Sequence, residues 1–171
     1  MIFATEIDLV LLLLRLAVGA GLAAHGYAKF FSGGKIAGTG RWFDSIGMRP
    51  GKVHALMAAS SEIVVGLLIA AGFLTSFAAM GYVALMVVAH WTVHRANGFF
   101  IIKEGWEYVF VLGTVAFTIA TIGPGQWSLD HAFGIDDDLD GWTGLVLSAA
   151  GLAVAALFLL AFFRPRKPAG E

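Results

Sequence analysis

Residues 7–31 read IDLVLLLLRLAVGAGLAAHGYAKFF, an apolar run long enough to cross a bilayer. About 20 helical residues at a rise of 1.5 Å each span a hydrocarbon core of roughly 30 Å. The run is interrupted by Arg15 and His25 and closed by Lys29. Because charge is costly in lipid, the stretch predicts a transmembrane helix whose polar residues face other parts of the protein.

The composition of the whole chain is typical of a membrane protein. Of its 171 residues, 58% are hydrophobic and 13% are charged, whereas soluble domains carry about a quarter charged residues. The net charge of −1 gives no reason to expect nucleic acid as a partner. The sequence has no cysteine, which excludes disulfides, thiol catalysis and cysteine-ligated metal or iron–sulfur sites.

Breaks in hydropathy divide the chain into five predicted membrane-spanning helices. They cover approximately residues 7–31, 52–73, 76–94, 105–122 and 142–163, with loops at 33–51 and 126–141. We therefore expect an all-α fold, a polytopic membrane helix bundle. It divides into a four-helix core (1–132), an acidic external loop with an extra transmembrane helix (133–163) and a basic cytoplasmic tail (164–171).

Lysine and arginine are distributed unevenly between the two ends of this predicted bundle. With five spans, the loops after the first and third helices share one side with the C-terminus. Ten of the eleven basic residues belong to that side: Lys29, Lys35, Arg41, Arg49, Lys52, Arg95, Lys103, Arg164, Arg166 and Lys167. Because cytoplasmic loops carry the excess of Lys and Arg, the N-terminus is predicted to be outside and the C-terminus in the cytoplasm.

Arg15 and Glu62 carry the most deeply placed predicted charges. Counting helical rise from the cytoplasmic ends puts Arg15 roughly 20 Å and Glu62 about 15 Å into the bilayer. At similar depth on consecutive helices, the two are predicted to form a buried ion pair in which the arginine keeps the carboxylate ionised. A structural clamp and a catalytic role are both compatible with such a pair.

A second set of polar and aromatic side chains falls in the cytoplasmic half of the predicted bundle. The set consists of His25, Lys29, His90, His94, Asn97, Trp106, Glu107 and Tyr108. Histidine titrates near neutral pH and can bond to a quinone carbonyl, so the set predicts a quinone pocket or a proton relay. The spacing of His90 and His94 also suits a metal, and simple hydrogen bonds between helices are the structural alternative. By contrast, His54 and His131 are expected at loops or at the membrane interface.

The acidic segment DDDLDG at 136–141 matches the first half of an EF-hand calcium loop. The twelfth position of such a loop should be a glutamate, and here it is Leu147. We therefore expect a solvated acidic loop whose carboxylates favour the N-terminus of the last helix, with calcium binding as the alternative.

Small residues mark one face of the last predicted helix, at Gly144, Ser148 and Gly151. In membranes such residues let helix backbones approach closely. This face is predicted to pack either within the bundle or against a partner protein.

Several stretches taken together resemble the DoxX family. They are RLAVGAGLAAHGYAKFF from residue 15, SSEIVVGLLIAAGFLT from residue 60, NGFF at 97–100, GWEY at 105–108 and GPGQWSLD at 123–130. The resemblance covers about residues 8–132, and typical members have four transmembrane helices, so the fifth helix and the aspartate-rich loop are additions. The residues that match the family pattern are Arg15, His25, Gly26, Lys29, Glu62, Asn97, Gly98, Glu107 and Tyr108, and no catalytic residue is carried over with them.

The resemblance implies a multi-pass protein of the bacterial inner (plasma) membrane with a link to redox chemistry. A relative is the small membrane subunit of an archaeal thiosulfate:quinone oxidoreductase. The mycobacterial member is associated with a superoxide dismutase and a thiosulfate sulfurtransferase in a membrane oxidoreductase complex.

Two functions are predicted on this basis. The first is a membrane subunit of a redox-linked complex, with a quinone-like lipid in the cytoplasmic half of the bundle. The second is a non-enzymatic anchor or assembly factor, whose basic loops recruit protein partners or anionic lipid. A small transporter is a weaker alternative, because no pair of broken helices is evident.

Overall fold

The computed structural model of the chain describes residues 4–165. Eight α-helices lie within this part of the chain, joined by turns. They are α1 (Ala4–Phe31), α2 (Lys35–Ile46), α3 (Gly51–Ala71), α4 (Thr75–Ala89), α5 (Glu107–Ile122), α6 (Leu129–Phe133), α7 (Asp136–Leu139) and α8 (Gly141–Phe162).

Four of the described helical segments are long and apolar enough to cross a membrane. They are Thr5–Phe31, Gly51–Ala71, Thr75–Asn97 and Gly141–Phe162. The remaining core helix, α5, is also apolar but has 16 residues, or about 24 Å at the helical rise. The prediction of an all-helical protein with several helices long and apolar enough to span a membrane is confirmed.

Helices α1 and α3 pack antiparallel with closely approaching backbones. A Cβ added to Gly19 would lie 2.5 Å from the carbonyl oxygen of Gly66, and one added to Gly26 would lie 2.5 Å from that of Ala59. Helix association in lipid depends on such close van der Waals contact, because the hydrophobic effect contributes little to association between helices that lipid already surrounds. The glycines therefore fix the register of this helix pair.

Helices α4, α5 and α8 form the other half of the bundle. Gly151 of α8 packs against the backbone of α4, Gly144 packs against the end of α5, and Ser148 between them is fully buried. The small-residue face predicted from the sequence is thus used inside the bundle. Fully buried Ile69, from α3, and Ile119, from α5, belong to the apolar core that joins the two halves.

Residues 33–51 were predicted to be a loop, and this prediction was wrong because they contain α2. Ile36, Gly40 and Phe43 recur at helical spacing, and Gly40 packs so closely on the start of α3 that a side chain would not fit. Gly47 ends the helix in the left-handed conformation, at φ 97°. The periodicity was present in the sequence but was outweighed by its glycines and charges.

The segment 126–141 is also more ordered than the predicted loop, since it contains α6 and α7. The side chain of Ser128 accepts a bond from the backbone N–H of His131 at 3.2 Å and so caps α6. The aspartate run 136–138 and Leu139 form a single helical turn. In the described part of the chain, no group of three or more His, Asp or Glu side chains converges in a way that could hold a metal ion.

The fold sorts charge between the two ends of the bundle. The end where α1 and α8 finish, here called the basic end, carries Lys35, Arg41, Arg49, Lys52, Arg95, Lys103 and Arg164. The opposite end, here called the acidic end, carries Asp130 and the aspartates of 136–140. Arg166 and Lys167 of the predicted tail lie outside the described residues.

Candidate functional site

An apolar groove lies between α4, α5 and α8, and we call it the histidine groove. It encloses about 390 Å³, within the range of small-molecule sites. Val83, Met86, Phe117 and Leu152 are among the residues that line it, and His90 and Trp106 line it toward the basic end.

His90 sits where α4 changes into a π-helical turn, over His90–His94. Its ring meets that of Trp106 edge-on, with centroids 5.6 Å apart. Within residues 4–165, the imidazole ring of His90 makes no hydrogen bond to the protein, although its backbone is bonded within the helix. Polar groups in an apolar setting are normally bonded, and π-helical turns are frequent at functional sites. Both features mark His90 as a group able to bond to a ligand.

The turn that follows His90 is held by three other residues of the predicted pocket. His94 Nδ1 lies 2.7 Å from the carbonyl oxygen of Glu104, so Nδ1 carries the proton and donates it. Asn97 Nδ2 donates to the same carbonyl at 3.3 Å. The carboxylate of Glu107 accepts from the backbone N–H of Ile101 at 3.0 Å. These three side chains shape the turn that presents Trp106.

The remaining residues of the predicted pocket lie apart from the histidine groove. His25 is exposed on α1, Lys29 binds Glu62 of α3, and Tyr108 is exposed at the start of α5. The structure thus brings His90 and Trp106 together, with His94, Asn97 and Glu107 in the adjoining turn.

Glu62 is paired with Lys29, so the predicted pair of Arg15 with Glu62 was wrong. Lys29 Nζ lies 2.5 Å from Glu62 Oε2, and the two side chains are 21% and 14% exposed. Side chains tilt toward the N-terminus of their own helix. Because α1 and α3 are antiparallel, this tilt brings Lys29 and Glu62 toward each other.

Arg15 is fully buried and binds the loop after α5 instead. Its Nη2 donates to the carbonyl oxygen of Trp127 at 2.6 Å, and its Nη1 donates to that of Ala70 at 3.4 Å. Asp130, also fully buried, adds electrostatic attraction. Arg15 therefore fastens α1 to α3 and to the loop 123–128.

Asp130 is a structural residue that sequence reasoning did not single out. Its two carboxylate oxygens accept from the backbone N–H groups of Leu74 and Thr75, at 2.6 and 2.8 Å. A carboxylate at this place accepts hydrogen bonds from N–H groups at the start of α4 that have no partner within the helix. Its negative charge also interacts favourably with the positive N-terminal end of the helix dipole. The sequence signal for this role was the stretch GPGQWSLD, in which Gly123 and Gly125 mark the end of a helix and Asp130 follows.

His54 was expected at a loop or at the membrane interface, and the loop alternative was wrong because His54 lies buried in the first turn of α3. Its ring packs on Phe158 and Phe162, with centroids 5.5 and 5.0 Å away, and its Nε2 lies 3.2 Å from the carbonyl oxygen of Arg49. The two phenylalanines, four residues apart on one face of α8, are the signal in the sequence for such a contact.

Two aspartates at the acidic end have pKa values shifted in opposite directions. A hydrogen bond from His131 Nδ1, at 2.7 Å, is the main cause that lowers the pKa of Asp136. Burial is the main cause that raises the pKa of Asp140, and repulsion from Asp137 and Asp136 adds to it. The first carboxylate is thus favoured in its charged form and the second is disfavoured.

Comparison with known proteins places the chain in a family. The sequence model of the DoxX family matches residues 10–95, about half of the chain. An uncharacterized protein of Haemophilus influenzae is 27% identical over 111 residues, which are 60% of this chain and 74% of that protein. No solved structure matches. The matched segment runs from α1 through the π-helical turn at His90, and the chain belongs to the DoxX family of membrane proteins.

Proposed function

We propose that this protein is the membrane subunit of a redox-linked complex in the bacterial plasma membrane and binds a quinone-like lipid in the histidine groove. The observation that carries the proposal is the placement of an unbonded imidazole, His90, at one end of an apolar groove. Phe110 and Leu152 line the groove and are exposed on the lipid-facing side. A lipid-soluble ligand can therefore enter from the bilayer.

The residues of the groove match the two parts of such a ligand. The apolar side chains of α4, α5 and α8 would hold an isoprenoid tail, while Trp106 packs against the ring. Because imidazole can donate or accept, His90 can bond to the carbonyl oxygen of a quinone or to the hydroxyl of a quinol. A bound quinone would supply the electron-carrying chemistry, and the electron donor would be a protein partner in the complex.

The proposal includes a membrane topology of five spans, with the N-terminus outside and the C-terminus in the cytoplasm. The basic end would then face the cytoplasm, as positively charged loops favour. The core 1–132 would include α5 as a span, with α8 of segment 133–163 as the extra helix and 164–171 as the tail. In this arrangement His90 lies in the cytoplasmic half of the bilayer.

Quinone content tests the proposal directly. The protein is extracted from membranes in polymer nanodiscs, and bound quinone per protein is measured by chromatography. His90→Phe should lower quinone content by about threefold to tenfold, which is the effect of losing one hydrogen bond. Gly113→Leu should lower it too, because Gly113 lines the groove and its Cβ position has room for a side chain that fills the space.

The matched control is His25→Phe, the same change at an exposed histidine on α1. It should leave quinone content unchanged. Wild-type protein that neither carries quinone nor binds an added short-chain quinone would overturn the proposal, as would equal losses at His25 and His90. A stable partner complex that forms without quinone, in wild type and His90→Phe alike, would support the anchor or assembly function instead.

A further inference from the structure

A second apolar groove lies at the basic end, between the final turns of α4 and α8, and we call it the arginine groove. It encloses about 470 Å³. Val87 and Trp91 line it on the α4 side, and Leu160, Phe163 and Arg164 line it on the α8 side. Val87 also lines the histidine groove, so the two grooves adjoin at this residue.

One guanidinium group, that of Arg164, lines the arginine groove, and a second, that of Arg95, contacts Trp91 in its wall. The Cζ of Arg95 lies 4.3 Å from the centre of the Trp91 ring, in a cation–π contact. Arg164 is held by its Nη1, which donates to the carbonyl oxygens of Leu160 and Phe163, both at 2.9 Å. Among the described residues, Arg164 Nη2 and Nε have no protein partner. Within residues 4–165 the groove thus has a cationic side chain in its lining and another beside it, and two donor nitrogens of Arg164 without a protein partner.

The backbone beside Arg164 is fixed as well. The N–H of Arg164 donates to the carbonyl oxygen of Gly47 at 2.8 Å, and Phe163 pairs with Met48 in a short antiparallel bridge. The end of α8 is therefore tied to the turn after α2. This connection holds the arginine at the groove and limits the entropy that a ligand would cost by ordering it.

We propose that the arginine groove binds an anionic phospholipid, with one acyl chain along Val87 and Leu160 and the phosphate between Arg95 and Arg164. Guanidinium groups bind phosphate oxygens through paired hydrogen bonds. Basic pockets between membrane helices bind anionic headgroups by the same chemistry. The apolar floor favours a phospholipid over a small soluble anion, because it gives burial to a hydrocarbon chain.

Lipid binding can be measured by native mass spectrometry on the purified protein. Phosphatidylglycerol and phosphatidylcholine with identical acyl chains are added in turn. Wild type should retain phosphatidylglycerol in preference to phosphatidylcholine. Arg95→Gln and Arg164→Gln should each weaken phosphatidylglycerol binding about fivefold, and Arg164→Lys should restore part of it.

Two further variants separate the groove from surface charge in general. Ala156 lines the groove and is exposed, so Ala156→Phe should fill it and reduce binding without removing a charge. Arg41→Gln removes an exposed arginine of α2 at the same end and should have no effect. Thermal unfolding of each variant in detergent verifies that the protein remains folded.

Three results would overturn the proposal. The first is phosphatidylglycerol binding in the double variant Arg95→Gln/Arg164→Gln equal to that of wild type. The second is the same loss in Arg41→Gln as in Arg164→Gln. The third is full competition by soluble glycerol phosphate, which would identify a site for free anions. The quinone measurement at His90 is independent of all three.

Discussion

The ammonium group of Lys29 lies 2.5 Å from the carboxylate of Glu62, in a bonded pair that joins α1 to α3. An unpaired charge facing lipid is costly, so each side chain compensates the other. The same pairing leaves Arg15 to the loop after α5, and each of the two contacts can be tested separately.

A double-mutant cycle on Lys29→Met and Glu62→Gln should give a coupling energy on the order of 1 kcal/mol. Each single change should destabilise the protein, because it leaves the other group unpaired. The measurement is the free energy of unfolding in mixed micelles. The matched cycle on Arg15→Gln and Glu62→Gln should be additive, since these residues have no shared partner. Coupling in the second cycle and none in the first would restore the pairing predicted from the sequence.

Arg15→Gln should cost about 2–3 kcal/mol, because the carbonyl of Trp127 loses a charged donor and Asp130 loses its buried counter-charge. Thermal unfolding should show a lowered midpoint, and hydrogen exchange at 123–130 should quicken. Arg41→Gln, at an exposed position, is the control and should change neither. An unaltered exchange rate in the loop would mean that Arg15 does not hold it.

Gly19→Ala and Gly21→Ala form a matched pair on α1. A Cβ at Gly19 would collide with the backbone of Gly66 and Ala70, whereas a Cβ at Gly21 meets nothing within 4 Å. The first change should destabilise the protein by at least about 2 kcal/mol, of the order found for overpacking. The second should be neutral or stabilise by up to about 1 kcal/mol through helix propensity. Equal effects would contradict the close packing of α1 on α3.

The two shifted aspartates predict opposite pH profiles. The lowered pKa of Asp136 stabilises the fold above the pKa of an unfolded aspartate, and this stabilisation is lost as pH falls through the folded value. Asp136→Asn should therefore lower the melting temperature at neutral pH, with the difference vanishing in acid. The raised pKa of Asp140 has the reverse sign, because its charged form is disfavoured.

Asp140→Asn should raise the melting temperature at neutral pH, and this gain should vanish below the pKa of an unfolded aspartate, where Asp140 is protonated in both states. Melting curves recorded from pH 3 to pH 7, roughly the range over which aspartates titrate, give both profiles. Parallel profiles for the two variants would contradict the assigned environments.

The proposed orientation predicts the location of the C-terminus. A fluorescent reporter that folds in the cytoplasm should be active when fused after residue 171, and a periplasmic phosphatase fused there should be inactive. A phosphatase fused within 136–140 should be active, because the acidic end would face outward. The reverse pattern of reporter activity would overturn the proposed orientation. A pattern that is compatible only with both ends of α5 on the same side of the membrane would overturn the five-span topology.

The long helices could be predicted from the sequence because hydropathy and length decide them, from the run at 7–31 to the uncharged α8. Helix α2 was missed because it has only 12 residues, two of them glycine, and lies in a connection between two long apolar helices. Its periodic Ile36, Gly40 and Phe43 are a weak signal alone, and the close packing of Gly40 on the start of α3 is not visible in a single sequence.

The pairing of Arg15 with Glu62 failed for a geometric reason. Helical rise gives depth if two helices start at the same level, but Gly19 lies opposite Gly66, which places Arg15 and Glu62 about 12 Å apart along the helix axes. The candidate site was predicted in part: His90 and Trp106 do meet. His25 shares their approximate depth, but depth does not determine which side of the bundle a residue faces.

The bond from Arg15 to the carbonyl of Trp127 spans 112 positions of the chain, and this separation constrains how the protein is made. A ribosome adding about 5–20 residues per second needs roughly 6–20 s to deliver Trp127 after Arg15. During that interval the guanidinium of Arg15 lacks its shorter hydrogen bond, and an arginine at a helix centre has an insertion cost of about 2.5–3.5 kcal/mol. We therefore expect this helix to remain beside the translocon or a polar lipid boundary until the later helices emerge.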